Sequence, residues 1–145
     1  MSHPVVASVL DMSPTSPPIK VLFVPEREEL CAEAPGGRKL FLSLSGGGFT
    51  PLELALAALG ACACIEVYKL LSIRGGLVEK ISVDVVVEKE KGENLINLSF
   101  HIKADRIGGK EAEETIKHLL DKYCSVWHVF RQSVGLSIAV KLEKR

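Results

Sequence analysis

A chain of 145 residues, 47% of them hydrophobic, is long enough to bury a sizeable core and short for two domains. Lysine plus arginine and aspartate plus glutamate balance at 18 each, so no global field recruits nucleic acid, anionic lipid or an acidic substrate, and a nucleic-acid role is disfavoured. The start Met1-Ser2-His3-Pro4 lacks the cationic opening of a secretory signal, which points to a cytoplasmic protein. In a reducing compartment Cys31, Cys62, Cys64 and Cys124 are expected as free thiols or transient redox partners rather than as a disulfide framework.

Residues 1–18 end in Ser13-Pro14-Thr15-Ser16-Pro17-Pro18, which suits neither helix nor central strand and reads as a tail, leaving 19–145 as a single domain. Strands are expected at Lys20–Val24, at Leu30–Glu33 and where Leu40, Leu42 and Leu44 alternate with Phe41 and Ser43, before the break Gly46-Gly47-Gly48. A long helix follows. Thr50 caps it, Pro51 takes its first position, Glu53 completes a capping box, and Arg74-Gly75-Gly76 closes it.

From Leu52 to Ile73 this helix is apolar nearly all round, as a buried central rod would be. The run approaches the roughly 20 residues of a membrane span. Glu66 and Lys69 would be costly in a bilayer, so no membrane role is expected. Downstream, Ile81, Val83, Val85 and Val87 alternate with polar residues, as do Ile96, Leu98, Phe100, Ile102 and Ala104, which predicts a hairpin turning at Glu90–Asn94. An amphipathic helix carrying Ile116, Leu120 and Tyr123, a short helix over Ser125–Arg131 and a last strand with Leu136, Ile138, Val140 and Leu142 complete the order. The fold class is α+β, with antiparallel sheet packed on the central helix. One sheet face cannot cover so apolar a helix, and a homodimer is the simplest way to bury the rest.

Cysteines, histidines and one buried carboxylate could carry chemistry. Cys62 and Cys64 lie about 200° apart around a helix and cannot easily bond each other or share a metal. Cys62 with Glu66 and Cys124 with His128 form i, i+4 pairs, so each thiol has a polar neighbour in reach. As bland alternatives, Cys31, Cys62 and Cys64 are small core hydrophobes, while Cys124, at a helix junction, is expected to be partly exposed beside a helix N-terminus that lowers its pKa. A zinc site from Cys62, Cys64, Cys124 and His128 lacks a Cys-x-x-Cys knuckle, and no metal or other cofactor is expected. His3, His101 and His118 read as solvated side chains. Glu66, inside the apolar helix, requires a partner, whether Lys69, a neighbouring subunit, Arg27 or Arg38.

Thr50-Pro51-x-Glu53-Leu54, then Ala57-Ala58-Leu59-Gly60-x-Cys62, and some sixty residues later Tyr123-Cys124-Ser125-Val126, resemble the OsmC/Ohr proteins from about Lys39 to the C-terminus. The resemblance implies the OsmC-like fold, an intertwined homodimer and a thiol peroxidase acting on organic hydroperoxides. It implies Cys62 as the peroxidatic thiol, Cys124 as the resolving thiol and a lipoyl-type dithiol as reductant. It further implies an arginine activating Cys62, for which Arg38 comes first and Arg27 second, and a glutamate orienting it. Leu52 stands where the family carries that glutamate, and Glu66, one turn after Cys62, is the candidate substitute. The alternative is a non-catalytic binding module or redox sensor holding a small apolar ligand at the dimer interface.

Overall fold

The computed structural model describes residues 18–44, 47–106 and 112–145, so the expected tail, apart from Pro18, and Gly46 lie outside the described residues. The described residues form two compact units, one within 18–57 and a larger one within 58–145. In the first, strands β1 (Lys20–Val24), β2 (Glu29–Ala34) and β3 (Arg38–Leu42) form an antiparallel meander. Val21, Ala32 and Leu40 are in register on one row, and Leu22, Cys31 and Phe41 on the next, so successive rows present apolar side chains to opposite faces.

Helix α1 (Pro51–Ile73) begins as its sequence dictates. The Thr50 N–H donates to Glu53 Oε1 at 3.0 Å and the Glu53 N–H donates to Thr50 Oγ1 at 3.2 Å, the reciprocal pair of a capping box. At the other end Gly75 adopts φ 79°, and the N–H groups of Gly76 and Gly75 donate to the carbonyls of Leu71 and Ser72, a Schellman closure that only glycine makes without strain. By length and composition α1 is long and apolar enough to cross a membrane. In its C-terminal part Leu59, Cys62, Ala63, Glu66, Val67 and Leu71 are buried in protein, a stripe at three- and four-residue spacing.

In the larger unit, β4 (Leu77–Glu90) and β5 (Glu93–Asp105) make the expected hairpin. Lys91 and Gly92 both take positive φ, 51° and 81°, giving the two-residue turn whose twist matches the strands. Ile96, Leu98, Phe100, Ile102 and Ala104 on β5 are all buried. A Cβ placed on Gly60 would lie 3.0 Å from Val85 Cγ2 and 3.2 Å from Val83 Cγ1, so α1 approaches β4 closely where it has no side chain.

Helices α2 (Ala112–Tyr123) and α3 (Ser125–Arg131) then lead to β6 (Gly135–Glu143). The sequence reading of purely antiparallel sheet is corrected here: β6 pairs with β5 in parallel, making the order β4-β5-β6 mixed. A parallel neighbour requires a crossover, and the two helices supply it. Ile116, Leu120, Cys124 and Trp127 bury the inner side of that crossover. Each fully buried aliphatic or aromatic side chain contributes about 1.5–3 kcal/mol.

Candidate active site

Helices α2 and α3 are separated by a single residue, Cys124, whose backbone is extended (φ −85°, ψ 108°). Its N–H still donates to the Leu120 carbonyl at 3.1 Å, and its carbonyl accepts from His128 N–H at 3.0 Å. Its sulfur accepts the Trp127 N–H at 3.5 Å, so the thiol is the N-cap of α3. Cys62, at mid-length of α1, faces this junction: Cys124 Sγ lies 2.9 Å from Cys62 Sγ and donates its S–H to it. Both are free thiols and both are buried, Cys124 completely. A disulfide needs about 2.0 Å between sulfurs, so closure requires an approach of about 0.9 Å.

The proton placement is asymmetric. The Cys124 hydrogen bond pulls the Cys62 pKa down from the usual 9.0 to about 6, helped by the Val126 N–H and the Ser125 hydroxyl and opposed by burial and the Glu66 charge. Cys124 is pushed upward, first by donating to Cys62 and then by its own burial. The expectation that Cys124 would be the partly exposed thiol with the lowered pKa is therefore reversed. The α3 N-terminus serves both sulfurs, through Val126 and Ser125 for Cys62 and through the Trp127 and Val126 N–H groups for Cys124, and Cys124 holds the proton.

Sequence reasoning asked for a cation to ionise Cys62. Among the described residues the groups that depress it are neutral: a thiol, a main-chain N–H and a hydroxyl. In the smaller unit Arg38 donates from Nε and Nη2 to the Pro35 carbonyl at 3.4 Å each, and Arg27 pairs with Glu29 at 3.4 Å. Glu66 is buried and finds the partner the sequence offered first, Lys69 Nζ at 3.7 Å. The two form an ion pair, yet Glu66 Oε1 and Lys69 Nζ close no hydrogen bond among the described residues. Burial raises the pKa of Cys64. Cys31 lies on β2.

His128 is the i, i+4 neighbour of Cys124 that the sequence predicts, its main-chain N–H on the Cys124 carbonyl, and its ring donates from Nε2 to the main-chain carbonyl of Asp121. Among the described residues no group of three or more His, Cys, Asp or Glu side chains is arranged to hold a metal. Asp121 was not singled out from the sequence, and Ser125 and Val126 entered only as members of the Tyr123-Cys124-Ser125-Val126 pattern, with no role for the hydroxyl or the N–H. Main-chain donors carry no residue signature, whereas Asp121 and Trp127, each three positions from Cys124, are a spacing that could have been found.

No curated protein sequence matches the chain. Solved structures do. An OsmC-like protein from Mycoplasma pneumoniae superposes with a TM-score of 0.73 at 16% identity, covering 90% of this chain and 99% of that one. An organic hydroperoxide resistance protein OsmC from Legionella pneumophila gives 0.59 at 18% identity, over 86% and 97%. The organic hydroperoxide resistance protein OhrB of Bacillus subtilis gives 0.56 at 16%, over 86% and 98%. At these identities the likeness is one of fold. The profile of the family described as OsmC-like protein matches residues 44–139, which span both Cys62 and Cys124, and the chain belongs to that family.

Proposed function

We propose that this protein is a thiol-dependent peroxidase that reduces organic hydroperoxides through a reversible Cys62–Cys124 disulfide. The 2.9 Å separation of the two sulfurs carries the reading, because thiols 62 positions apart in sequence share one proton in a buried site. The names of relatives with this fold agree with it.

The Cys62 thiolate attacks one oxygen of the hydroperoxide, the O–O bond breaks, and the alkoxide leaves as alcohol after taking a proton, which leaves a sulfenic acid on Cys62. Cys124 then loses its proton and attacks the Cys62 sulfur. The S–O bond breaks, water departs, and the disulfide forms. A lipoyl-type dithiol returns both thiols by two exchanges and leaves as its own cyclic disulfide. The aliphatic surroundings of Cys62 favour small apolar hydroperoxides.

Arg38, and after it Arg27, remain the cations that the family resemblance would bring to Cys62, with Glu66 beside it in place of the glutamate replaced by Leu52. The working form is a homodimer in the cytoplasm. Val21, Phe23, Leu40 and Phe41 on the three-stranded sheet and Ile65, Tyr68 and Ile73 on α1 are exposed apolar surface of the kind a second subunit covers.

One equivalent of tert-butyl hydroperoxide added to reduced protein, followed by thiol mapping by mass spectrometry, tests the chemistry. Rapid loss of two thiols as a Cys62–Cys124 linkage, abolished in Cys62→Ser, is expected. An unmodified Cys62 together with a co-purifying apolar ligand would establish the binding module instead.

A further inference from the structure

Asp121 sits on the last turn of α2, one turn before Cys124, and three groups of α3 converge on it. Its Oδ1 accepts the Trp127 indole N–H at 2.7 Å and Arg131 Nη1 at 3.2 Å, and its main-chain carbonyl accepts His128 Nε2–H. That carbonyl is among those a helix C-terminus leaves without an intrahelical donor. Trp127, the only tryptophan in the chain, is 1% exposed, so its indole N–H needs an internal acceptor. Asp121 supplies it.

The main-chain N–H of this same Trp127 caps onto Cys124 Sγ. The chain thus leaves α2 at Cys124, turns, and is tied back to α2 through Trp127, with Cys124 between the two tied residues. The bond to Arg131 is of lesser weight: Arg131 is 46% and Asp121 39% exposed at the side chain, and such surface pairs contribute little.

We propose that Asp121 is a positioning residue for Cys124, holding the α2–α3 junction through Trp127 so that the resolving sulfur lies in bonding reach of Cys62; this rests on the Cys62–Cys124 redox pair proposed above. Closing the disulfide from a fixed junction requires little ordering. From a loose one, the same bond must first immobilise Cys124, and the effective concentration of its thiol falls.

Equilibration of the full-length protein with reduced and oxidised glutathione tests this without peroxide. Cys62 thiolate displaces one glutathione thiolate to give a mixed disulfide, and Cys124 displaces the second, so each disulfide formed in the protein consumes one glutathione disulfide and releases two glutathiones. Asp121→Ala is expected to lower the effective concentration of the pair about tenfold or more. The Cys62 ionisation midpoint should rise with it, because the Cys124 donor is displaced. Asp121→Asn keeps an acceptor oxygen and is expected to retain most of both properties. Trp127→Phe keeps an aromatic ring, smaller than the indole and without its N–H, and should reproduce Asp121→Ala.

An Asp121→Ala protein that closes the disulfide as readily as wild type overturns the positioning role and leaves the redox pair standing. So does an Asp121→Asn protein that falls as far as Asp121→Ala, since charge and not the indole bond would then be responsible. Wild-type protein that never forms the Cys62–Cys124 bond in this buffer defeats both.

Discussion

Replacing Cys124 by alanine removes the hydrogen bond that does most to ionise Cys62. The displacement of that pKa from 9.0 to about 6 corresponds to about 4 kcal/mol of preference for the thiolate. A hydrogen bond to a charged acceptor supplies about 1.5–3 kcal/mol of such a preference, or about one to two pKa units. Cys124→Ala should therefore move the Cys62 midpoint to about 7–8, with the Val126 N–H and Ser125 hydroxyl retaining the remainder. At pH 7 the thiolate fraction then falls from roughly nine-tenths to between about one-half and one-tenth. Cys124→Ser leaves an O–H donor on the same carbon and should stay close to wild type. The assay is the rate of iodoacetamide alkylation across pH, read at the Cys62 peptide by mass spectrometry so that Cys31 and Cys64 do not contribute. The midpoint is the diagnostic quantity, because a thiolate of higher pKa is also intrinsically more nucleophilic and its plateau rate rises. An alanine variant whose midpoint stays at the wild-type value, or a serine variant that shifts as far as alanine, would refute the thiol-donor account and return the task to a cation.

Further outcomes follow from the same geometry. Cys62 is ionised in the folded protein above about pH 6, whereas an unfolded thiol ionises only near 9, so the unfolded state binds more protons between these values. Its contribution to stability is fully present above pH 9 and is lost as pH falls through about 6; urea unfolding of reduced protein should show that rise from pH 6 to 9, and Cys62→Ser should flatten it. Glu66→Gln removes a charge that opposes Cys62 ionisation and should lower the Cys62 midpoint by the same alkylation assay. Lys69→Met strands the buried Glu66 carboxylate and should cost about 3–5 kcal/mol in chemical denaturation. Gly60→Val places methyl groups against Val83 and Val85 and should cost about 1–3 kcal/mol, since two branched strand residues have little room to yield.

The sequence was most informative where one residue type has a unique local use. Thr50 and Glu53 had to form their box, Gly75 had to close α1, and Lys91-Gly92 had to turn the hairpin, because these are local solutions to local backbone problems. The parallel placement of β6 was hidden. Its alternation of Leu136, Ile138, Val140 and Leu142 is the same for either direction, and the direction is set by how α2 and α3 cross. At the candidate site, the meeting of Cys62 with Cys124 was foreshadowed by a family pattern, and the Glu66–Lys69 pair by the need of a buried carboxylate for a counter-charge. The ionising environment was not legible, because its donors are an S–H, a hydroxyl and a backbone amide, and only contact in space reveals them.

That environment also gives the proposed reaction an order. While Cys62 is anionic, the hydrogen bond between the sulfurs stabilises its charge and keeps Cys124 protonated, so one thiol is nucleophilic and the other is not. Oxidation of Cys62 to the neutral sulfenic acid removes the anion that held the Cys124 proton. The largest cause of the raised Cys124 pKa then disappears, and the thiol comes within reach of ionisation just as an electrophilic sulfur forms beside it. A Cys62→Ala variant imitates that loss of charge without peroxide. Its Cys124 should alkylate with a midpoint well below that of Cys124 in the reduced wild-type protein. Burial still raises that thiol, while the Trp127 and Val126 N–H groups act to lower it. If Cys124 in the Cys62→Ala variant proves as resistant to ionisation as in wild type, burial alone protects it, and the resolving step would need a separate base.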